Sequence, residues 1–189
     1  MSKFYTVTKE INGREYKAQF NGISAALKAV DSSYIEGSNQ TSVAKLAKYL
    51  FDNVIVEPKV RIDDFGADKI GTEETKTING TAYTAQFKGL STALKALDDS
   101  YIEGTNQTST EKLTEYLFAN VITAPKNLTA DDFETMEEFN AVISFARDVM
   151  QGGDIMKEFN EVVGFAREVM QGNFRDQKVE KSTKKASKG

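Results

Sequence analysis

Cysteine, histidine and tryptophan are absent from the 189 residues, and proline occurs only twice. Without Cys there are no disulfides, no thiolate metal ligands and no thiol nucleophile. Without His the chain loses the commonest metal ligand and the side chain best suited to proton transfer near neutral pH. Ser-His and Cys-His hydrolytic machinery is therefore excluded, leaving carboxylate, Lys, Ser and Tyr chemistry. No run approaches 18 consecutive apolar residues, and residues 1–9 hold no apolar stretch of signal-peptide length. The expectation is a non-enzymatic cytoplasmic protein with no cofactor, no metal and no membrane contact.

What is present is enough for a core. Hydrophobic residues make up 40% of the chain and aromatics 10%, too much apolar matter for wholesale disorder. The net charge of −4 is unevenly spread. Between Arg175 and Gly189 lie six basic and two acidic residues, a net +4, which leaves −8 on the body. An acidic body repels a phosphate backbone, so no nucleic-acid partner is expected.

Self-similarity organises the rest. Segment 11–20 (INGREYKAQF) returns as segment 78–87 (INGTAYTAQF), an offset of 67 that persists without a gap to Pro58-Lys59 and Pro125-Lys126. After one extra residue, Asp63-Asp64-Phe65 matches Asp131-Asp132-Phe133. A second duplication has an offset of 20: segment 136–152 (MEEFNAVISFARDVMQG) returns as segment 156–172 (MKEFNEVVGFAREVMQG). Two large units and two small ones balance, with both small ones at the C-terminal end. One ancestral unit with its helix, doubled, would account for this, and each terminal helix would then serve one unit. The alternative is that both helices extend the second unit.

Local patterns fill in each unit. Asn12-Gly13 and Asn79-Gly80 favour two-residue hairpin turns between alternating strands, the second pair being Thr75–Ile78 and Tyr83–Phe87. Each hairpin needs helices or the other hairpin, in a four-stranded sheet, to be stable. Ile23, Ala26, Leu27, Val30 and Tyr34 mark one face of a helix, and Leu90, Ala93, Leu94, Leu97 and Tyr101 repeat it. A second helix carries Val43, Leu46, Ala47, Leu50 and Val54, repeated by Leu113, Leu117 and Val121. Thr108 with Glu111 reads as its capping box in the second copy, and Pro58 and Pro125 as its stops. The terminal segments are amphipathic helices ended by Gly152 and Gly172, with Asp131 or Asp132 placed to cap the first.

The expected fold is α+β: two ββαα repeats (1–65 and 75–133) joined by a linker (66–74), then an antiparallel helical hairpin (134–173) and a mobile basic tail (174–189).

Candidate sites are sparse. The doublets Asp63-Asp64 and Asp131-Asp132 suit helix capping better than a hard cation, because neighbours in sequence seldom converge on one ion. Phe145 and Phe165 each lie about 120° around the helix from Phe139 and Phe159, widening the apolar stripe toward one flank. That flank fits a larger core or a surface for another protein. Arg147 and Arg167 recur inside the apolar helices, either as solvated edge residues or as clamps for a partner's carboxylates. These four residues are the candidate partner-binding set.

Segment 158–175, preceded by the residues at 131–139, resembles the C-terminal part of tail assembly chaperones of long-tailed phages and prophages of Gram-positive bacteria. The opening Ile-Asn-Gly-x-x-Tyr-x-Ala-Gln-Phe, followed by a Leu/Ala helix, is similar to the start of those proteins. The resemblance implies a non-virion protein of the host cytoplasm that binds the tape measure protein and helps recruit tail tube subunits. It also implies self-association, in a ring or spiral, and a longer frameshifted product. The internal doubling departs from the usual single unit, so assembly would need half as many chains. A structural or adaptor protein of a phage particle or prophage is the alternative.

Overall fold

The computed structural model describes residues 4–174, so nearly all of the expected mobile tail lies outside the described residues. The fold is α+β, with two antiparallel three-stranded sheets and six helices. Strands β1 (Tyr5–Ile11) and β2 (Arg14–Phe20) form the first hairpin, Ile11 facing Arg14 across the turn. Asn12 and Gly13 adopt φ of 51° and 77°, the paired positive values that a two-residue turn requires to match strand twist. Strands β4 (Glu73–Ile78) and β5 (Thr81–Gln86) repeat the arrangement around Asn79 and Gly80.

Each half carries a strand that the hydrophobic period did not announce. Helices α1 (Ile23–Ser32) and α2 (Val43–Asn53) are followed by β3 (Ile55–Glu57), which pairs antiparallel with β2. In the second half α3 (Leu90–Asp99) and α4 (Thr110–Tyr116), with a π-helical turn at Leu117–Val121, lead to β6 (Ile122–Ala124) on β5. The unit is thus ββααβ. Pro58 and Pro125 follow these strands rather than stopping the helices. The chain leaves helix one step earlier because the Gln19 amide takes the Val54 carbonyl, 2.8 Å away, and draws the next residues onto the sheet. The two hairpins consequently stay in separate sheets instead of merging into one of four strands.

Capping also shifts by one residue. Ser109, not Thr108, caps α4 by accepting from the Lys112 amide at 3.2 Å. Thr108 is occupied one place earlier in a bridge with Tyr101, and in the first half Ser42 repeats the cap while Thr41 repeats the bridge, with Tyr34. Terminal helix α5 (Met136–Gln151) is capped by Thr135, while α6 (Asp154–Met170) begins after Gly153. Asp131 and Asp132 do not cap α5: Asp132 turns back to accept from the Thr129 amide at 2.7 Å, closing a 3-10 turn.

The terminal helices cross over. Helix α5 packs on β4, β5 and the π-helical turn of its own half, whereas α6 reaches back to β1, β2 and α2 of the first. They separate at Gly152 and Gly153 instead of packing along each other. Gly152 holds φ 70°, and a Cβ there would come within 2.9 Å of the Phe87 ring, so the joint is tight as well as left-handed.

Matching aromatic clusters anchor the crossed helices. In the first half Phe51 stacks on Phe65 at 5.7 Å between centroids, and Phe159 of α6 meets both edge-on at 5.9 and 5.6 Å. In the second, Phe118 stacks on Phe133 at 5.8 Å, and Phe139 of α5 meets them edge-on at 6.3 and 5.5 Å. Edge-to-face pairs of this kind add about 0.5–1.5 kcal/mol each beyond burial. Polar clamps repeat too: Asn12 donates to Glu158 at 3.3 Å and Asn79 to Glu138 at 3.2 Å, tying each hairpin turn to its helix.

The crossed pairing has a direct test. Phe159→Ala should cost about 3–5 kcal/mol, the usual loss for a fully buried Phe, and Phe139→Ala somewhat less because it is half-buried. Amide hydrogen exchange should accelerate first in β1, β2 and α2 for Phe159→Ala, and in β4 and β5 for Phe139→Ala. Loosening of the second half by Phe159→Ala would contradict the assignment of α6 to the first.

Candidate functional site

The carboxylates that might have formed a centre are spent separately. Asp63 accepts from the Ser91 amide at 2.9 Å and from its hydroxyl at 2.5 Å, while its neighbour Asp64 takes the Arg61 amide at 2.7 Å. Asp131 is exposed and Asp132 holds its own turn. Among the described residues no three His, Cys, Asp or Glu side chains gather to hold a metal ion, and no helix is long and apolar enough to cross a membrane.

The four residues singled out on the terminal helices separate into two kinds. Phe145 and Phe165 are 7% and 2% exposed. Their flank turns into the core because each helix lies across a twisted sheet and needs a broad apolar face to cover it. Phe165 is further covered by Phe174 at 5.8 Å and by the Lys9 ammonium 5.9 Å from its ring centre. Arg147 and Arg167 point the other way: both are exposed, and neither makes an ion pair among the described residues. Each follows an exposed Asn two turns earlier (Asn140, Asn160) and precedes an exposed acid (Asp148, Glu168). Between the diverging helices lies an open hollow of about 740 Å³ lined by Asp148, Met156, Lys157 and Asn160.

A second open region lies on the far side of the second half. The π-helical turn, Thr114 and Phe118 line a groove of about 920 Å³ with Leu128, Thr129 and Phe139. The equivalent hollow of the first half, around Phe51, Val60 and Asp63, measures about 440 Å³.

The junction of the halves uses polar residues that periodicity alone places in solvent. Helix α3 packs against α2 and against the 3-10 turn Ile62–Asp64. Ser42, 1% exposed, donates to Asp98 at 2.5 Å, Asp63 caps the start of α3 through Ser91, and the Gly104 amide donates to the Gly37 carbonyl at 2.7 Å. Sequence reasoning missed these pairs. A signal for them does exist: Ser42, Asp63, Ser91 and Asp98 all recur in kind at Ser109, Asp131, Ser24 and Asp31.

Burial pushes the Asp98 carboxyl above the usual carboxylate range, aided by Asp99 and opposed by the Ser42 hydroxyl, Lys45 and Lys95. The fold therefore favours neutral Asp98. Its stabilising contribution is complete below the unfolded value of about 3.9 and is lost as pH rises through the higher folded value. Asp98→Asn, which can still accept from Ser42, should leave stability at pH 7 equal or raised, and any gain should vanish below about pH 3.9. Urea midpoints of parent and variant at both pH values check this; a variant equally weakened at both would show that charge is not what burial penalises. In comparisons with known proteins, no family model, no curated protein and no solved structure matches the chain.

Proposed function

We propose that the chain is a non-enzymatic assembly chaperone of the kind found in long-tailed phages, which holds a tape measure protein through the outer faces of α5 and α6 and helps recruit tail tube subunits. In this reading each half with its terminal helix corresponds to one ancestral unit, and the chain is a covalent pair working in the host cytoplasm. The observation that carries the reading is the repeated solvent face of the terminal helices. Packing on the sheets accounts for the apolar positions of α5 and α6, but outward positions need only be polar. They nevertheless carry the same series twice: Asn140, Arg147 and Asp148, then Asn160, Arg167 and Glu168. Two like faces on one rigid chain suit a partner that itself repeats, such as a long helical protein with recurrent carboxylates. The planar guanidinium, free of ion pairs among the described residues, offers paired hydrogen bonds to such groups.

Arg147→Glu combined with Arg167→Glu should change folding stability by no more than about 0.5 kcal/mol, since both residues are exposed surface positions. The same variant should lower affinity for a co-expressed tape measure protein by about a hundredfold, ten for each reversed contact. A native chain that leaves the tape measure protein insoluble and unbound, or a variant that binds as well as the parent, would overturn the reading.

A further inference from the structure

We propose that Asn12 and Asn79 are twin modification sites, converted without an enzyme to isoaspartate, and that each conversion unfastens a terminal helix from its hairpin. The proposal is independent of the chaperone reading, which uses the outer faces of α5 and α6. Asparagine followed by glycine is the pair most open to this chemistry, because glycine leaves its nitrogen unshielded. The glycine nitrogen loses its proton and attacks the side-chain carbonyl carbon of the asparagine. A C–N bond forms there, the side-chain amide leaves with that proton as ammonia, and a five-membered imide remains. Water then adds across one of the two imide C–N bonds. One cleavage gives aspartate; the other gives isoaspartate, with the main chain rerouted through the side chain. Nothing is oxidised or reduced.

The sequence holds three such pairs, at Asn12, Asn21 and Asn79, and the structure separates them. Asn12 and Asn79 are exposed at hairpin tips, and a Cβ on Gly13 or Gly80 would meet nothing within 4 Å. Each side chain is held through its nitrogen alone, by Glu158 at 3.3 Å and by Glu138 at 3.2 Å. Their side-chain oxygens have no hydrogen-bond partner among the described residues. Attack requires the turn to leave its left-handed conformation, an excursion that exposed loop tips make at little cost. Asn21 is locked instead. Its nitrogen donates to the Asn53 carbonyl and its oxygen accepts from Gln19, both at 2.8 Å. The Phe4 ring also stands 3.3 Å from where a Cβ on Gly22 would sit.

The consequence lies in what the two exposed amides do. Each is the donor of the clamp that ties a hairpin turn to α6 or α5. Conversion replaces that donor by a carboxylate, which faces a half-buried glutamate and repels it. Isoaspartate also lengthens the main chain inside a two-residue turn. Loop length there sets the register of Ile11 against Arg14 and of Ile78 against Thr81. The halves then differ. Glu138 keeps a second donor, the Tyr83 hydroxyl at 3.1 Å, whereas among the described residues Glu158 accepts from Asn12 alone. Conversion at Asn12 therefore releases α6 more than conversion at Asn79 releases α5.

Warm incubation of the full chain at neutral and at mildly alkaline pH tests this, read by peptide mass mapping and enzymatic labelling of isoaspartate. Asn12 and Asn79 should convert, faster at the higher pH because the attacking nitrogen must lose its proton. Asn21 should convert about tenfold more slowly in the folded chain, and at a like rate in urea. Amide exchange of the aged chain should quicken about fivefold in α6 and about twofold in α5. Asn12→Asp, which installs the charge while keeping a residue suited to the turn, should reproduce the loosening of α6. A folded chain that stays unconverted at Asn12 and Asn79 would overturn the proposal. So would Asn21 converting as fast as the other two, or exchange in α6 unchanged by conversion at Asn12.

Discussion

Each of the two sheets has one face that water must not reach, and the helix that covers it comes from the C-terminal end of the chain. The Phe51, Phe65 and Phe159 cluster makes that closure for the first half, and Phe118, Phe133 and Phe139 make it for the second. Without these edge-to-face contacts α6 would have no reason to travel back past α5 to the first sheet. The requirement that α5 and α6 serve different sheets forces them apart at Gly152 and Gly153. It also turns their repeated polar faces outward and opens the hollow between them. The crossing binds the halves together topologically, since the last helix of the chain completes its first unit.

The halves themselves meet through unlike surfaces, and this decides how similar sequences acquire different environments. Helices α1 and α3 descend from one pattern, but α3 is covered by α2 and the Ile62–Asp64 turn of the first half and by α5 of its own, whereas α1 packs mainly on α2. Burial at the junction also explains its polar chemistry. A hydroxyl from Ser42 and a helix start capped by Asp63 satisfy groups that would be costly to bury unpaired. Asp98 still bears a desolvation penalty there, because its partner is a neutral hydroxyl and the nearby lysines remain in solvent.

Repetition does not make the halves identical. Tyr83 donates to Glu138 at 3.1 Å, whereas the hydroxyl of its counterpart Tyr16 is buried with no hydrogen-bond partner among the described residues, and its ring is faced by the Arg14 guanidinium at 5.6 Å. The helix that is regular as α2 becomes a shorter α helix and a π-helical turn in the second half, at the wall of the larger groove. π-Helical turns inside helices are frequent where a surface is used, because the extra residue re-aims side chains at little cost in hydrogen bonding.

Local chemistry alone determined much of this molecule. Asn-Gly pairs set both hairpins since few residues tolerate two successive positive φ values, and period-3.6 apolar stripes set six helices near their observed bounds. The duplication announced two equivalent units. Short-range reading erred where a long-range bond arbitrates: β3 and β6 exist because β2 and β5 offer free edges, and Thr108 yields its cap to Ser109 because it bridges to Tyr101. The candidate site was legible in part. Arg147 and Arg167 were found, but the side of the helix that faces the sheet could not be read from a stripe wide enough to include Phe145 and Phe165. Only the tertiary structure decided which terminal helix closes which sheet, and why Leu94 is hidden while Leu27 is bare. A periodic pattern states that a helix has an apolar face; what lies against that face depends on neighbours far along the chain.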